Sequence, residues 1–289
     1  MKMHMAKDVA AVLGGNASEC RNVSLLAAKF PGLPDDERDK QSRGQFLSQL
    51  CRVPLDPQGR EVRARFLESI LPAARRSVFF RGKLQSRLIV NQAGGVIENA
   101  GLCLDPHFGI PYIPGSALKG IARAAALSLC KEQKADIFEI LAVFGWAPGA
   151  EDLRLLEDGG ASLPYKAFSG TVAFLAAYPV SECRLVLDVV TCHHGEYYRD
   201  LNIPMNRQDT EAPVPNVFPT IEGGCQFGFT LVCCDQARVQ EARTRLSLSS
   251  TFDPLEAAKK WLVQALTDHG VGAKTAAGYG WFTIEEDRP

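Results

Sequence analysis

A chain of 289 residues, 46% hydrophobic and 22% charged, has the composition of a soluble globular protein of one large domain or two small ones, which excludes extensive disorder. No segment approaches the roughly 20 apolar residues that span a bilayer, and the N-terminus has no signal-peptide core, so a cytoplasmic location is expected. The net charge of −1 hides an asymmetry: residues 1–90 hold 16 Lys and Arg against 9 Asp and Glu, the remainder 16 against 24, a pattern that suits one basic surface for a polyanion and a neutral or acidic one for protein neighbours.

The first 75 residues read as helical, interrupted at "FPGLPDDERD" and "VPLDPQG". "SVFFRGKLQSRLIV", Ser77 to Val90, alternates apolar residues with Arg81, Lys83 and Arg87 and predicts a strand with one basic face. A glycine-rich loop then leads into a helix from about Ser116 to Lys131. On that helix Leu118, Ile121, Ala122, Ala125 and Leu129 form an apolar stripe, while Ser116, Lys119, Gly120 and Arg123 share the other side. Ser116 is a candidate N-cap, and the free amides of a helix start welcome an anion.

Downstream, Thr171–Tyr178 and Arg184–Val190 read as two strands, followed by a polar, proline-rich excursion from Gly195 to Pro219 and the strand "CQFGFTLVCC". Asp253 caps a further helix that ends at Gly270, and "GWFTIEE" closes the chain as a strand. The order is that of an α+β, ferredoxin-like or RRM-like βαββαβ core with insertions. It divides the chain into a helical region, 1–75, and a larger domain, 76–289.

Between the last helix and strand lies "GVGAKTAAGYGWF", with glycines at 270, 272, 278 and 280. Ala273 stands where a Walker A loop needs glycine, and a Rossmann fingerprint would lie between a strand and a helix, whereas this loop runs from helix to strand. What remains is a loop whose amides can approach phosphates, with Lys274 as a point charge, Thr275 beside it and Tyr279 able to stack on a base. Nine cysteines without a repeated CxxC read as reduced thiols, and neither a metal nor a cofactor is expected.

"IPYIPGSALKGIAR" resembles the helix-entry signature of the RAMP superfamily of CRISPR effector subunits, and "GVGAKTAAGYGWF" resembles its C-terminal glycine-rich loop. "LDVVTCHHGEYYRD" followed by "APVPNVFPTIEGGCQFGFTLV" is similar to the RAMP subunit that caps the type III-B effector backbone. Ala117 replaces the usual second serine after "PGS", which removes one hydroxyl. The resemblance, over about Ser77 to Ile284, implies a non-enzymatic subunit near the 3′ end of a guide RNA. Its implied partners are guide RNA, target RNA and the other RAMP and small subunits. The RNA-contacting set is then Ser116, Lys119, Arg123, Gly270, Gly272, Lys274, Thr275, Gly278, Tyr279, Arg81 and Arg87.

Two ribonuclease alternatives stand beside this reading. His193 and His194 near Glu196 could work as acid and base on a 2′-hydroxyl, although neighbours on an extended segment point to opposite sides. Asp105 lies in the loop where target-cutting RAMP subunits carry an aspartate, although a lone carboxylate before a helix is commonly a turn former.

Overall fold

The computed structural model describes Lys7 and residues 20–29, 40–70, 76–94, 100–147, 167–192, 214–233 and 235–285. Three helices come first: α1 Val23–Ala28, α2 Lys40–Arg52 and α3 Pro57–Ile70. Strand β1 (Arg76–Leu84) is followed by α4 (Gly115–Lys131), α5 (Ile137–Phe144), and the short strands β2 (Gly145–Trp146), β3 (Phe168–Ser169), β4 (Val172–Phe174) and β5 (Tyr178–Pro179). Then come β6 (Leu185–Cys192), β7 (Val214–Ile221), β8 (Gln226–Cys233), α6 (Gln236–Arg245), α7 (Pro254–Asp268), a 3₁₀ turn at Thr275–Ala277 and β9 (Phe282–Glu285). No helix among the described residues is long and apolar enough to cross a membrane.

The central sheet runs β4-β8-β1-β9, antiparallel throughout, with β5 continuing the β4 edge along β8. One face is closed by α4 and α7. Along α7, Leu255, Ala258, Leu262, Ala265 and Leu266 are buried at helical spacing, and α4 offers Leu118, Ala122, Ala125 and Ala126. Beneath them Phe80 stacks on Phe229 at 5.2 Å, and Phe144 bridges Phe174 and Trp261 at 5.6 and 5.7 Å. Asp253 caps α7 as its sequence predicts, accepting from the Leu255 amide, and its second oxygen pairs with Arg76 at 2.5 Å.

Four expectations are corrected. Residues 85–90 do not continue β1; Leu88, Ile89 and Val90 are buried, but their backbone serves Ile221, the loop after α7 and Cys103 respectively. Thr171–Tyr178 is not one strand: β4 and β5 are separated where Ala177 turns away from β8 to pair with Ile113. The predicted strand at 184–190 lies outside the central sheet and forms a two-stranded ribbon, β6 with β7, whose second strand begins inside the predicted excursion and ends two residues past it. Its prolines, 215 and 219, share one parity, so their missing N–H groups fall on the outer edge. Ser116 is not the N-cap of α4. The helix starts at Gly115 with Pro114 as cap and no side-chain capping bond, which places Ser116, exposed, in the first turn.

Helices α5 and α6, capped by Asp136 and Asp235, lie outside the elements expected from sequence. The N-terminal helices share the main core: Phe46, Leu47 and Leu50 of α2 are buried in the same cluster as Leu185, Phe218 and Ile221 of the ribbon. Cys20, Cys51, Cys103, Cys130, Cys183, Cys225 and Cys233 are free thiols.

Candidate nucleic-acid interface

Strand direction fixes what meets at one end of the sheet. β1 and β4 run one way, β8 and β9 the other. The loop after α7 and the base of the β6–β7 ribbon therefore lie together, at the end marked by Leu84 paired with Phe282, while α4 starts beside β4, where a Cβ on Gly115 would lie 2.1 Å from the Phe174 carbonyl oxygen. The first amides of α4 are unclaimed by any side chain. Ser116 is exposed and Lys119 half-buried one turn on, and neither side chain is hydrogen-bonded or ion-paired among the described residues. Arg123, half-buried, follows on the same side, and Gly120 leaves open space between them.

The glycine loop is framed rather than slack. The Gly270 amide donates to Ala265 and closes α7, and Val271 donates to Gly280. Three bonds tie the loop to the segment after β1: Gln85 to Trp281 at 2.9 Å, Gly280 to Arg87 at 2.8 Å and Ala273 to Ile89 at 2.8 Å, each amide to carbonyl. Ser86 Oγ donates to the Gly278 carbonyl, and Trp281 Nε1 to the Thr275 carbonyl at 2.9 Å. Gly270, Gly272, Gly278 and Gly280 all have positive φ, as does Lys274 at 60°. The result is a pinned arch whose crown, Ala276 to Gly278, is exposed.

The arch presents Lys274 differently from a free point charge, since its Nζ lies 5.5 Å over the ring of buried Phe218 on β7. Tyr279 neither stands free for a base nor sits wholly in the core. It is half-buried, and its hydroxyl donates to Asp188 on β6, which also pairs with Arg87 at 2.5 Å. Burial pulls the Asp188 carboxyl upward, but the Arg87 and Tyr279 hydrogen bonds and the Val189 amide outweigh it and hold it below its ordinary value. Burial and then the bond to Asp188 push the Tyr279 phenol up to about 12.

Asp188 was missing from the sequence-derived set, although a lone carboxylate in the β-branched run "LVLDVV" is a readable signal. Tyr279→Phe is expected to cost about 1.5 kcal/mol by removing a hydrogen bond to a charged acceptor. Because the folded pKa lies above the ordinary 10, that contribution is full below the unfolded value and disappears as pH rises through about 12. Urea melts of both proteins at neutral and alkaline pH would measure the difference.

Arg81 is not part of this end. It is exposed at mid-strand, on the face of the sheet away from α4 and α7, opposite Gly228 and Glu285. Asp105 is 1% exposed and fully engaged: it accepts from Arg63 on α3, from Tyr178 at 3.2 Å, and from the amides of His107 and Phe108 at 2.9 and 3.2 Å. Burial raises its pKa, but the Arg63 bond and the two amides lower it further, and the net position is below the ordinary carboxylate value. His193 and His194 lie outside the described residues. Among the described residues no group of three His, Cys, Asp or Glu is placed to hold a metal ion.

The RAMP superfamily profile matches residues 52–283. The chain is 26% identical over 306 aligned positions to the CRISPR system Cmr subunit Cmr6 of Pyrococcus furiosus, covering 90% of this chain and 84% of that one. It is also 26% identical over 205 positions to Cmr6 of Saccharolobus solfataricus, covering 68% and 61%. A chain in the cryo-EM structure of the type III-B Cmr-beta complex bound to cognate target RNA superimposes with a TM-score of 0.56 at 18% identity, over 97% of this chain and 88% of that one. The α4 entry, the pinned glycine arch and a match over most of the length lead to one conclusion: the chain belongs to the RAMP superfamily.

Proposed function

We propose that the chain is a non-catalytic, RNA-binding subunit of a type III-B CRISPR effector complex, working in antiviral defence in the cytoplasm. In this reading it caps the filament of RAMP subunits near the 3′ end of the guide and contacts guide and target RNA by their backbones. The strand order β4-β8-β1-β9 with crossovers α4 and α7 is read as a ferredoxin-like core, within a RAMP domain of residues 76–289 that follows a helical region, 1–75. The relatives named for the Cmr system, and the likeness to a complex bound to target RNA, support the assignment of partners: guide RNA, target RNA, and other RAMP and small subunits.

The observations that carry the reading are an uncapped helix start backed by Lys119 and Arg123, and a rigid glycine arch pinned to the segment after β1. Amides and guanidinium or ammonium groups in that arrangement recognise phosphates without regard to base. Asp105 supports a structural rather than catalytic part for that loop, since four donors already occupy its oxygens.

The test is salt dependence. Lys119→Ala/Arg123→Ala should weaken binding of unrelated single-stranded RNAs equally, and should flatten the slope of log K against log salt by about 0.7 for each phosphate no longer neutralised. A slope unchanged from wild type would remove both residues from the interface.

A further inference from the structure

The sheet face away from α4 and α7 holds a groove that the interface described above does not use. α3 leans over this face, anchored where Arg63 pairs with Asp105 and lies 4.7 Å over the Tyr178 ring. Between α3 and the strands is a cavity of about 650 Å³. Its floor is Phe79 of β1 and Gly228 of β8; Val180, after β5, stands on the wall and is 43% exposed.

Gly228 keeps the floor clear: a Cβ there would come within 2.8 Å of the Phe79 ring and 2.9 Å of Val180. Arg60 of α3 and Arg81 of β1 also line the groove, and neither is ion-paired among the described residues. Of the acids, Glu61 also lines the groove and is exposed, with Arg65 at 4.0 Å, and Glu285 accepts from the Gln226 amide at 2.9 Å. Arg63, also on the wall, leaves its Nε without an acceptor.

We propose that this groove is a second RNA contact, which holds one unpaired base of a single strand against Phe79, with the flanking phosphates on Arg60 and Arg81. An aromatic ring on an inner strand of a five-stranded antiparallel sheet, with cations on either side, has the chemistry that stacks unpaired bases. At Arg81 the β1 backbone is already paired on both sides, with Gly228 and Glu285. The floor there offers a visiting chain side-chain contacts rather than a main-chain ladder, which suits a nucleotide better than an acidic peptide. The inference rests on the reading of the chain as RNA-binding but concerns the opposite side of the sheet.

The test uses the full chain and a single-stranded RNA of about eight nucleotides carrying one 4-thiouridine, irradiated at saturating RNA, with the crosslinked peptides identified by mass spectrometry. A crosslink on the segment holding Phe79 or Val180 is expected. It should fall about fivefold or more in Phe79→Ala, and likewise in Val180→Glu, an exposed substitution that leaves the core untouched and places a repelling charge on the wall. Crosslinks confined to α4 and the glycine arch would overturn this inference and leave the proposed function standing. Failure of the RNA to crosslink anywhere would overturn both. A groove crosslink indifferent to Phe79→Ala and Val180→Glu, or a groove that in the assembled complex crosslinks to a neighbouring protein instead of RNA, would also overturn it.

Discussion

Asp105→Ala is expected to destabilise the protein by about 3 to 5 kcal/mol, the cost of leaving a partly buried cation and several donors without their carboxylate. The damage falls on both sides of the fold. Arg63 would lose its anchor and α3 its tie to the sheet; the amides of His107 and Phe108 and the Tyr178 hydroxyl would lose their acceptor. The melting temperature should drop by roughly 10 °C.

Asp105→Asn keeps the shape but turns an amide toward donors, and should fall between alanine and wild type. It should also change the acid limb. The folded pKa of Asp105 is lowered, so its contribution is present above the ordinary carboxylate value and is lost as pH falls through the lower, folded one. As pH falls below the ordinary carboxylate value the wild type should therefore lose stability more steeply than Asp105→Asn. Melting curves across that range measure this directly. If Asp105 were instead a catalytic group in an otherwise tolerant loop, both variants would melt near wild type, and the structural account would fail.

Gly272→Val should be nearly as damaging, and through folding rather than through RNA. Its φ is 95°, and a Cβ at this position would lie 2.1 Å from the Ile89 carbonyl oxygen, the same oxygen that accepts the Ala273 amide. Valine would have to break that bond and move the arch away from the segment after β1, at a cost of several kcal/mol. The sequence reading places this glycine beside a phosphate; the geometry shows that it also backs directly onto the Ile89 carbonyl. Gly278→Val separates the two effects. Its φ is 90°, so strain remains, but a Cβ there meets nothing within 4 Å. Gly278→Val should thus be milder in stability, by about 1 to 3 kcal/mol for the backbone conformation alone. Denaturant titration of the two variants side by side would show the order, and equal destabilisation would mean that the Ile89 carbonyl does not matter.

Several elements were legible in the chain itself. α4 and α7 announce themselves by 3.6-residue periodicity, and α7 also by Asp253 before Pro254. β8 shows as an aromatic and aliphatic run, "CQFGFTLVCC", and the α4 entry and the glycine arch carry the family likeness. These features are local: a stripe or a cap is written into neighbouring residues and needs no partner to be recognised.

What only the tertiary structure decided is who pairs with whom. Residues 185–192 look like a core strand by composition, yet their partner is 214–221, a stretch that two prolines disguise, and no local pattern names a partner more than twenty residues away. The break between β4 and β5 has a similar cause, because Ile113, distant in sequence, draws Ala177 out of line. The roles of charged residues were hidden for the same reason. Arg87, read as an RNA contact on a basic strand face, is held by Asp188, and Asp105, read as a candidate catalyst, is enclosed by Arg63 and Tyr178. A charge in a sequence states only what it could bind. Burial and the long-range contacts of the fold decide whether it is already bound.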